Sequence, residues 1–281
     1  MNFISRFVCL LICLILFGSV VIFAAEPDPG PEGEEHSSVV KIGPLEMDAV
    51  LIKGGVFEMG DKFNVGDGDE KPVHEITLTD YYLSTTEVTV GQYKKYCIAT
   101  NTAMPEQESY SRDNYPIVFV TWFEARKFCE WVGGFLPTEA QWEYAASSRG
   151  LTFKYPTGNT IDHSKANYSG TRKKDRWKKC SPVAKFPPNS LGIYDLAGNV
   201  YEWCYDYYKG DYYSMPAYEN PRGPATSIFK VLRGGSWYHD KEKLRCSDRF
   251  RYMPVARVSF VGFRVAWDPK TAPLKGAYPN P

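Results

Sequence analysis

The stretch GGSWYHDKEKLRC, from Gly234 to Cys246, holds three side chains that could do chemistry. Ser236 follows a glycine pair, and such a turn can hold a hydroxyl group in a fixed position. His239 and Cys246 could bind copper through an imidazole and a thiolate, but the spacing supplies no third ligand. Ser236 has no base placed by the sequence and lacks the strand-turn-helix pattern of a hydrolase nucleophile. A loop histidine facing solvent near a partly buried thiol is the simpler interpretation.

A second stretch, YDLAGNVYEW, supplies oxygen ligands. Asp195 and Glu202 bracket a turn at Gly198 and Asn199. A hard cation takes about 6–8 oxygens from carboxylates, carbonyls and water. A glycine in the turn lets a backbone carbonyl face inward. The stretch therefore predicts a calcium site, and a capped surface turn with solvated acids is the alternative.

The elements that position these residues are short. VLIKGGVFEMG predicts two strands around Gly54 and Gly55, and HEITLTDYYLS predicts one more from its two-residue period. Three helices have start signals: Thr89 caps VGQYKKYC, and the pairs Thr121 with Glu124 and Thr138 with Gln141 form capping boxes before ARKFCEWV and WEYAA. The fold class is therefore α+β with much irregular backbone. We expect Trp142, Tyr144, Trp203, Trp237 and Phe263 in or near the core, and Arg233, Arg245 and Arg264 beside buried acids.

Composition excludes several classes of protein. The 281 residues carry 33 basic and 33 acidic side chains, so no electrostatic footprint for nucleic acid is present. There is no CxxC, and the four histidines have no zinc spacing. Two of the seven cysteines lie in the first 25 residues, which leaves an odd number for the rest of the chain.

The ends of the chain differ from its middle. Residues 1–25 form an apolar segment between the lengths of a signal peptide and a spanning helix, and Ala24 and Ala25 favour cleavage over an anchor. Residues 26–41 read as a Pro/Glu-rich linker, 42–267 as one domain and 268–281 as a flexible tail. We expect an exported protein, periplasmic or secreted, that touches a membrane only if the first segment is uncleaved.

Six motifs in order resemble the sulfatase-modifying-factor family, whose founding member is the formylglycine-generating enzyme. They are GGVFEMG, EVTVGQY, YPIVFVTWFEA, GGFLPTEAQWEYAA, YDLAGNVYEW, and VLRGGSW followed by VGFRVA. The resemblance covers nearly the whole domain, from about Val50 to Ala266. It implies a formylglycine-generating-enzyme-like fold related to the C-type lectins.

The resemblance also implies two calcium sites. One would use the side chains of Asn167 and Asp175 with the carbonyls of Tyr168 and Trp177. The other would use the side chains of Asp195 and Glu202 with the carbonyls of Gly198 and Val200.

The family's oxidase converts a sulfatase cysteine to formylglycine with dioxygen and copper(I), held by two thiols three and eight residues after the serine of the Gly-Gly-Ser turn. Here those positions are His239 and Leu244, so we expect no copper site. Cys129 and Cys246 match family positions whose partners are here Val265 and Ala146. We suggest Cys97–Cys129 and Cys204–Cys246 pairs instead, with burial as small apolar residues the alternative.

Three functions follow. The first is a non-catalytic, calcium-stabilised binding or scaffold domain with a protein or peptide partner. The second is a formylglycine-generating oxidase, which needs paired thiols. The third is a diversified lectin-fold receptor, because YHDKEKLRCSDRFRY resembles a hypervariable tract with aromatic and small polar residues. The sequence favours the first, with no enzymatic activity.

Overall fold

Ten short strands, three α-helices and three short 3-10 helices make up the regular structure of the described residues, 38–170, 177–215 and 218–274, in the computed structural model. The strands are β1 (Val40–Ile42), β2 (Met47–Ile52), β3 (Gly55–Met59), β4 (His74–Leu78), β5 (Tyr81–Ser84), β6 (Tyr201–Tyr207), β7 (Lys230–Arg233), β8 (Phe250–Tyr252), β9 (Val261–Gly262) and β10 (Ala266–Trp267). The helices are α1 (Val90–Thr100), α2 (Trp122–Trp131) and α3 (Glu139–Ala146). The fold is α+β, as predicted.

All three helices begin at the predicted threonine caps. The hydroxyls of Thr89, Thr121 and Thr138 each accept a hydrogen bond from the backbone N–H three residues later. The side chains at those third positions, Gln92, Glu124 and Gln141, in turn accept from the cap backbone, at 2.9 Å in each case. This reciprocal arrangement satisfies two otherwise unpaired donors at each helix start.

Three sheets hold the strands. One has the order β1-β2-β5-β10, one pairs β3 with β4, and one has the order β8-β7-β6-β9. The prediction of a single strand for HEITLTDYYLS is wrong. The strand is interrupted at Thr79 and Asp80, so that β4 belongs to one sheet and β5 to another. Asp80 accepts a hydrogen bond from the Gly54 backbone at 2.8 Å, which ties this break to the turn between β2 and β3.

The aromatic core is as predicted, with Trp237 half-buried at its margin. Trp142, Trp203 and Phe263 are fully buried. The three arginines also pair with buried acids: Arg233 with Glu143, Arg245 with Glu70 and Arg264 with Glu202.

The suggested disulfides are not formed. Cys97, Cys129, Cys180, Cys204 and Cys246 are all buried and free. The Cys97 sulfur lies 3.8 Å from the Ala103 carbonyl oxygen and 3.9 Å from the Met104 sulfur, and the Cys204 sulfur lies against a carbonyl of its own strand. Both suggested pairings are therefore corrected, and the cysteines pack as small apolar residues.

Irregular backbone connects α3 to β6. Residues 147–170 and 177–200 contain turns and isolated bridges but no helix or strand. None of the helices in the described residues combines the length and the apolar character needed to cross a bilayer. The predicted leader, most of the linker and the last seven residues of the predicted tail lie outside the described residues.

Candidate functional site: the Gly-Gly-Ser turn and the oxygen-rich loops beside it

The Gly-Gly-Ser turn follows β7 directly. Gly234 and Gly235 have φ of +96° and +73°, values that glycine adopts without strain. A Cβ at Gly235 would lie 2.6 Å from the Lys243 carbonyl oxygen, so the turn is also held closely against the loop that follows it. Ser236, the next residue, is completely buried.

The Ser236 hydroxyl is hydrogen-bonded to the His239 ring. The Ser236 Oγ and His239 Nδ1 atoms are 2.7 Å apart, and Oγ accepts from the Tyr238 backbone N–H at 3.3 Å. The hydroxyl can donate to Nδ1 or accept from it, according to which ring nitrogen carries the proton. Burial lowers the pKa of His239, so the ring is neutral at pH 7.

Aromatic rings surround His239. Its ring centroid lies 4.9 Å from that of Tyr201, 5.1 Å from that of Phe260 and 5.7 Å from that of Phe250. Tyr238 stacks on Phe260 and is 62% exposed, so this aromatic cluster reaches the surface.

The side chains of Leu244 and Cys246 pack into different apolar clusters. Leu244 is fully buried in an apolar cluster with Tyr155, Ala166 and Ala197. Cys246 is buried in the core with Trp142, and burial raises the pKa of its thiol. With Leu244 offering no donor atom and His239 Nδ1 engaged by Ser236, the residues at these positions do not fit a dithiolate copper(I) site.

Much of the tract that resembles a hypervariable segment is inaccessible. Residues 244–249 are all buried. Arg245 and Arg249 within it hold Glu70 and Glu139 in buried ion pairs. Only the beginning and end of the tract can face a ligand.

The two oxygen-rich loops predicted to bind calcium lie side by side. Asn167 forms an isolated parallel bridge with Gly198, and the Asn199 N–H donates to the Asn167 carbonyl at 2.8 Å. Gly198 has φ of +81°, and a Cβ there would collide with the Asn167 carbonyl oxygen. The Gly198 N–H also donates to the Gly234 carbonyl at 2.8 Å, which joins these loops to the Gly-Gly-Ser turn.

Asn167 has a buried side-chain oxygen. Its side chain is 1% exposed, and Nδ2 donates to the Lys179 carbonyl at 2.9 Å and to Asn199 Oδ1 at 3.3 Å. Oδ1 has no hydrogen-bond partner among the described residues. A buried amide oxygen of this kind is compatible with a ligand of a hard cation, so this atom of the first predicted set suits calcium.

The other members of that first set are partly placed. Tyr168 is buried and stacks on His163 with ring centroids 3.8 Å apart. Trp177 packs edge-on against Phe186. Asp175 lies outside the described residues.

Glu202 of the second set is held by a buried arginine. Arg264 Nε and Nη2 donate to its two oxygens at 2.5 and 2.6 Å, and Trp142 Nε1 donates at 2.7 Å. Asp195, across the turn, accepts from the Ala184 N–H at 2.7 Å. Burial raises the pKa of Asp195 to about 6.

Glu87, from the EVTVGQY motif, joins the same site and was not predicted. It is fully buried and accepts from Asn199 Nδ2 at 2.9 Å. Burial, with the neighbouring Asp195 second, raises the pKa of Glu87. Its sequence neighbours, Thr86 and Thr89 among them, are mostly polar, so no signal in the sequence indicated that this carboxylate is buried.

One other acidic cluster lies beside basic side chains. Asp67, Glu70 and Asp248 bring ligand oxygens within 4.8 Å of one another. Lys243 lies 3.2 Å from Asp67 and 3.3 Å from Asp248, and Arg245 forms a double hydrogen bond with Glu70. Two cations therefore already face the three acids.

An open cleft lies beside α2. It has a volume of about 550 Å³, and its wall includes Met104, Glu106, Phe119, Glu124 and Arg257. Arg257 forms an ion pair with Glu124 at 2.6 Å and donates a hydrogen bond to the Phe119 carbonyl. The charged groups on this wall therefore already have partners within the protein.

Curated relatives include proteins with different described activities. The chain is 37% identical over 275 residues to the serine/threonine-protein kinase Pkn1 of Chlamydia trachomatis, covering 89% of this chain but only 43% of that protein. It is 29% identical to the formylglycine-generating enzyme of Streptomyces coelicolor, covering 87% and 94% of the two chains. It is 27% identical to the inactive C-alpha-formylglycine-generating enzyme 2 of Bos taurus, covering 78% and 88%. The chain thus spans less than half of the Chlamydia protein.

A solved structure extends the similarity to the fold. PvdO from Pseudomonas aeruginosa superposes with a TM-score of 0.72 at 26% identity, covering 83% of this chain and 99% of that one. The family model described as the sulfatase-modifying factor enzyme 1-like domain matches residues 39–269. The chain therefore belongs to the sulfatase-modifying factor enzyme 1-like family.

Proposed function

We propose that this chain is a non-catalytic member of its family, a calcium-stabilised domain that binds a protein or peptide partner outside the cytoplasm. The observation that carries the proposal is Leu244. Its aliphatic side chain is fully buried among apolar residues at the position where the family's oxidase would need its second thiol. A hydrocarbon cannot hold copper(I), and the neutral His239 at the other position is not a soft thiolate.

Calcium would stabilise backbone that regular structure does not. The segments on either side of residues 171–176 have no helix or strand to hold them, yet they bring Asn167 beside Gly198. The buried Asn167 Oδ1, which accepts no hydrogen bond from the described part of the chain, supports a cation at this junction. A bound ion would join loops whose closure costs entropy.

The aromatic cluster around His239 is the surface we assign to the partner. Tyr238 supplies an exposed ring and His239 a polar imidazole, and Phe260 forms a half-buried floor. Rigid aromatic rings with a few polar groups are typical of protein and peptide contacts. The export that this role requires rests on the apolar first 25 residues.

Thermal unfolding of the full chain tests the calcium part. Saturating calcium should raise the Tm relative to a chelator by about 5 °C or more. A ligand at 100 times its Kd contributes about 2.7 kcal/mol, and each kcal/mol shifts the Tm of a domain this size by about 2–4 °C. Equal Tm values in calcium and chelator would overturn a stabilising role for the ion.

Copper titration and a peptide assay test the catalytic part. Reduced protein should take up no stoichiometric copper(I) in competition with a chromogenic chelator. It should also leave the cysteine of a sulfatase peptide unchanged by mass spectrometry. Conversion of that cysteine to an aldehyde in air, lost in Cys246→Ala, would establish the oxidase instead.

A further inference from the structure

A second open cleft, with a volume of about 800 Å³, lies beside the start of α3. Its wall combines five separate segments: the link between β4 and β5, the residues just after α2, the first turn of α3, residues 220 and 222, and residues 268–271 that follow β10. A cavity of this size is large enough to hold a ligand. No described residue of its wall belongs to the aromatic cluster around His239, so a ligand here would not occupy the partner surface assigned above.

The two acidic side chains of this wall already have partners. Asp80 accepts from the Gly54 N–H at 2.8 Å and forms an ion pair with Lys53 at 3.1 Å. Asp268 accepts from the Lys270 backbone N–H at 2.8 Å through its carboxylate. Both carboxylates are therefore used to hold the backbone beside the cleft.

The cations and the amide of the wall still have donors to offer. Across residues 38–170, 177–215 and 218–274, no ion pair or side-chain hydrogen bond engages the guanidinium of Arg222 or the ammonium of Lys270. Asn220 Oδ1 accepts from the Thr79 N–H at 3.0 Å and from the Thr79 hydroxyl at 3.1 Å, which leaves Nδ2 as a further donor. The cleft thus presents hydrogen-bond donors and positive charge, which an anion would satisfy.

An aromatic ring holds Arg222 in place. The central guanidinium carbon lies 4.5 Å from the centroid of the Tyr205 ring. Tyr205 in turn packs against the buried Trp122, with ring centroids 6.2 Å apart. An arginine over a ring uses the face of its guanidinium and keeps the N–H groups at its edge for other partners. That edge matches a carboxylate, which it binds through two parallel hydrogen bonds.

We propose that this cleft binds an acidic segment of a partner protein, with one carboxylate on Arg222 and another on Lys270. The two cations lie on different segments of the wall, and the half-buried Phe135 and Pro269 add apolar surface to it. A single small anion would contact only a fraction of a cleft of about 800 Å³. A peptide segment can bring several carboxylates and an apolar side chain to the wall together.

The test uses a short fluorescein-labelled peptide of alternating glutamate and alanine, titrated with the full chain and followed by fluorescence anisotropy. The unsubstituted chain should bind this peptide and not the matching peptide with glutamine in place of glutamate. Arg222→Gln should weaken binding about tenfold, because a bidentate, charge-assisted contact is lost. Arg222→Lys should recover only part of that loss, because lysine keeps the charge but not the planar fork.

Lys127→Gln is the matched control for charge. Lys127 is exposed on α2 and does not line the cleft, so its loss removes one positive charge elsewhere and should leave binding unchanged. Lys270→Gln should weaken binding, and the Tm of each variant should equal that of the unsubstituted chain. The proposal fails if the glutamate peptide does not bind, or if Lys127→Gln and Arg222→Gln weaken it equally. It also fails if inorganic phosphate displaces the peptide at lower concentration than unlabelled peptide does, which would make this a small-anion site.

Discussion

The Asn199 side-chain oxygen accepts a hydrogen bond from the Asn167 amide, 3.3 Å away and 32 residues earlier in the chain. It also accepts from the Ser181 N–H at 2.9 Å and the Ser181 hydroxyl at 3.2 Å. Asn199 has φ of +58°, a conformation that asparagine tolerates better than most residues. One left-handed asparagine thereby joins three segments that have no regular structure of their own.

Gly198→Ala should destabilise the domain by about 2 kcal/mol or more, because a Cβ there is strained by its φ and collides with the Asn167 carbonyl. Gly192→Ala is the matched control. Gly192 has φ of +78° but open space around the Cβ position, so only the strain applies. Urea unfolding measures both variants. If both variants lose the same free energy of unfolding, the Asn167 loop moves away from the added Cβ without an energetic penalty.

Arg264→Gln should destabilise by about 3–5 kcal/mol, because Glu202 would keep a buried charge with no partner. Arg126→Gln is the control. Arg126 forms an exposed pair with Glu130, and losing it should change the free energy of unfolding by less than about 1 kcal/mol. Chemical denaturation compares the two. A small loss in Arg264→Gln would show that Glu202 is satisfied without the arginine.

The five cysteines of the domain should resist alkylation in the native state. Burial raises the pKa of the thiols of Cys129, Cys180, Cys204 and Cys246, so both access and thiolate are lacking. Iodoacetamide labelling followed by peptide mapping should modify all five only after unfolding. A Cys97–Cys129 or Cys204–Cys246 cross-link in the unreduced protein would contradict the free thiols of the structure and support the pairing suggested from the sequence.

Asp206→Asn should remove the contribution of this carboxyl group to the pH dependence of stability. Burial raises the pKa of Asp206 to about 7, against 3.8 for an ordinary aspartate. Between these two pH values, Asp206 is protonated in the folded state and ionised in the unfolded state. The free energy of unfolding that this group contributes therefore falls as the pH rises from about 4 to about 7. The variant should exceed the unsubstituted chain in Tm at pH 8, with the gap closing toward pH 5. Asp211→Asn, at an exposed aspartate, is the matched control for the substitution itself.

His239→Phe should destabilise the domain at pH 7, and this loss should become smaller as the pH falls. Burial lowers the pKa of His239 below its ordinary 6.5, so protonation favours the unfolded chain and stability is lost as the pH falls through that range. At pH 7 the variant should lose about 1 kcal/mol with the Ser236 hydrogen bond. Unfolding at pH 5 should show that deficit reduced or reversed. A constant deficit from pH 5 to 8 would argue against a neutral, buried imidazole.

Local signals in the sequence predicted the helices well. Each cap joins residues three apart, so Thr121 and Glu124 meet whenever a helix forms between them. The division of HEITLTDYYLS between two sheets was not predictable from its two-residue period. It depends on which strands β4 and β5 pair with, and β10 is more than 180 residues away from β5.

Residue type by itself determined that Leu244 supplies no metal ligand, that the domain has no CxxC motif, and that the Gly-Gly-Ser turn requires glycine. Tertiary structure alone decided which charges meet. Glu202 pairs with Arg264 from 62 residues away, and the buried Glu87 accepts from Asn199, which lies 112 residues later in the chain. The reason is physical: a covalent spacing specifies local hydrogen bonds, whereas the partner of a buried charge is whichever group the packed core places within a few ångströms of it.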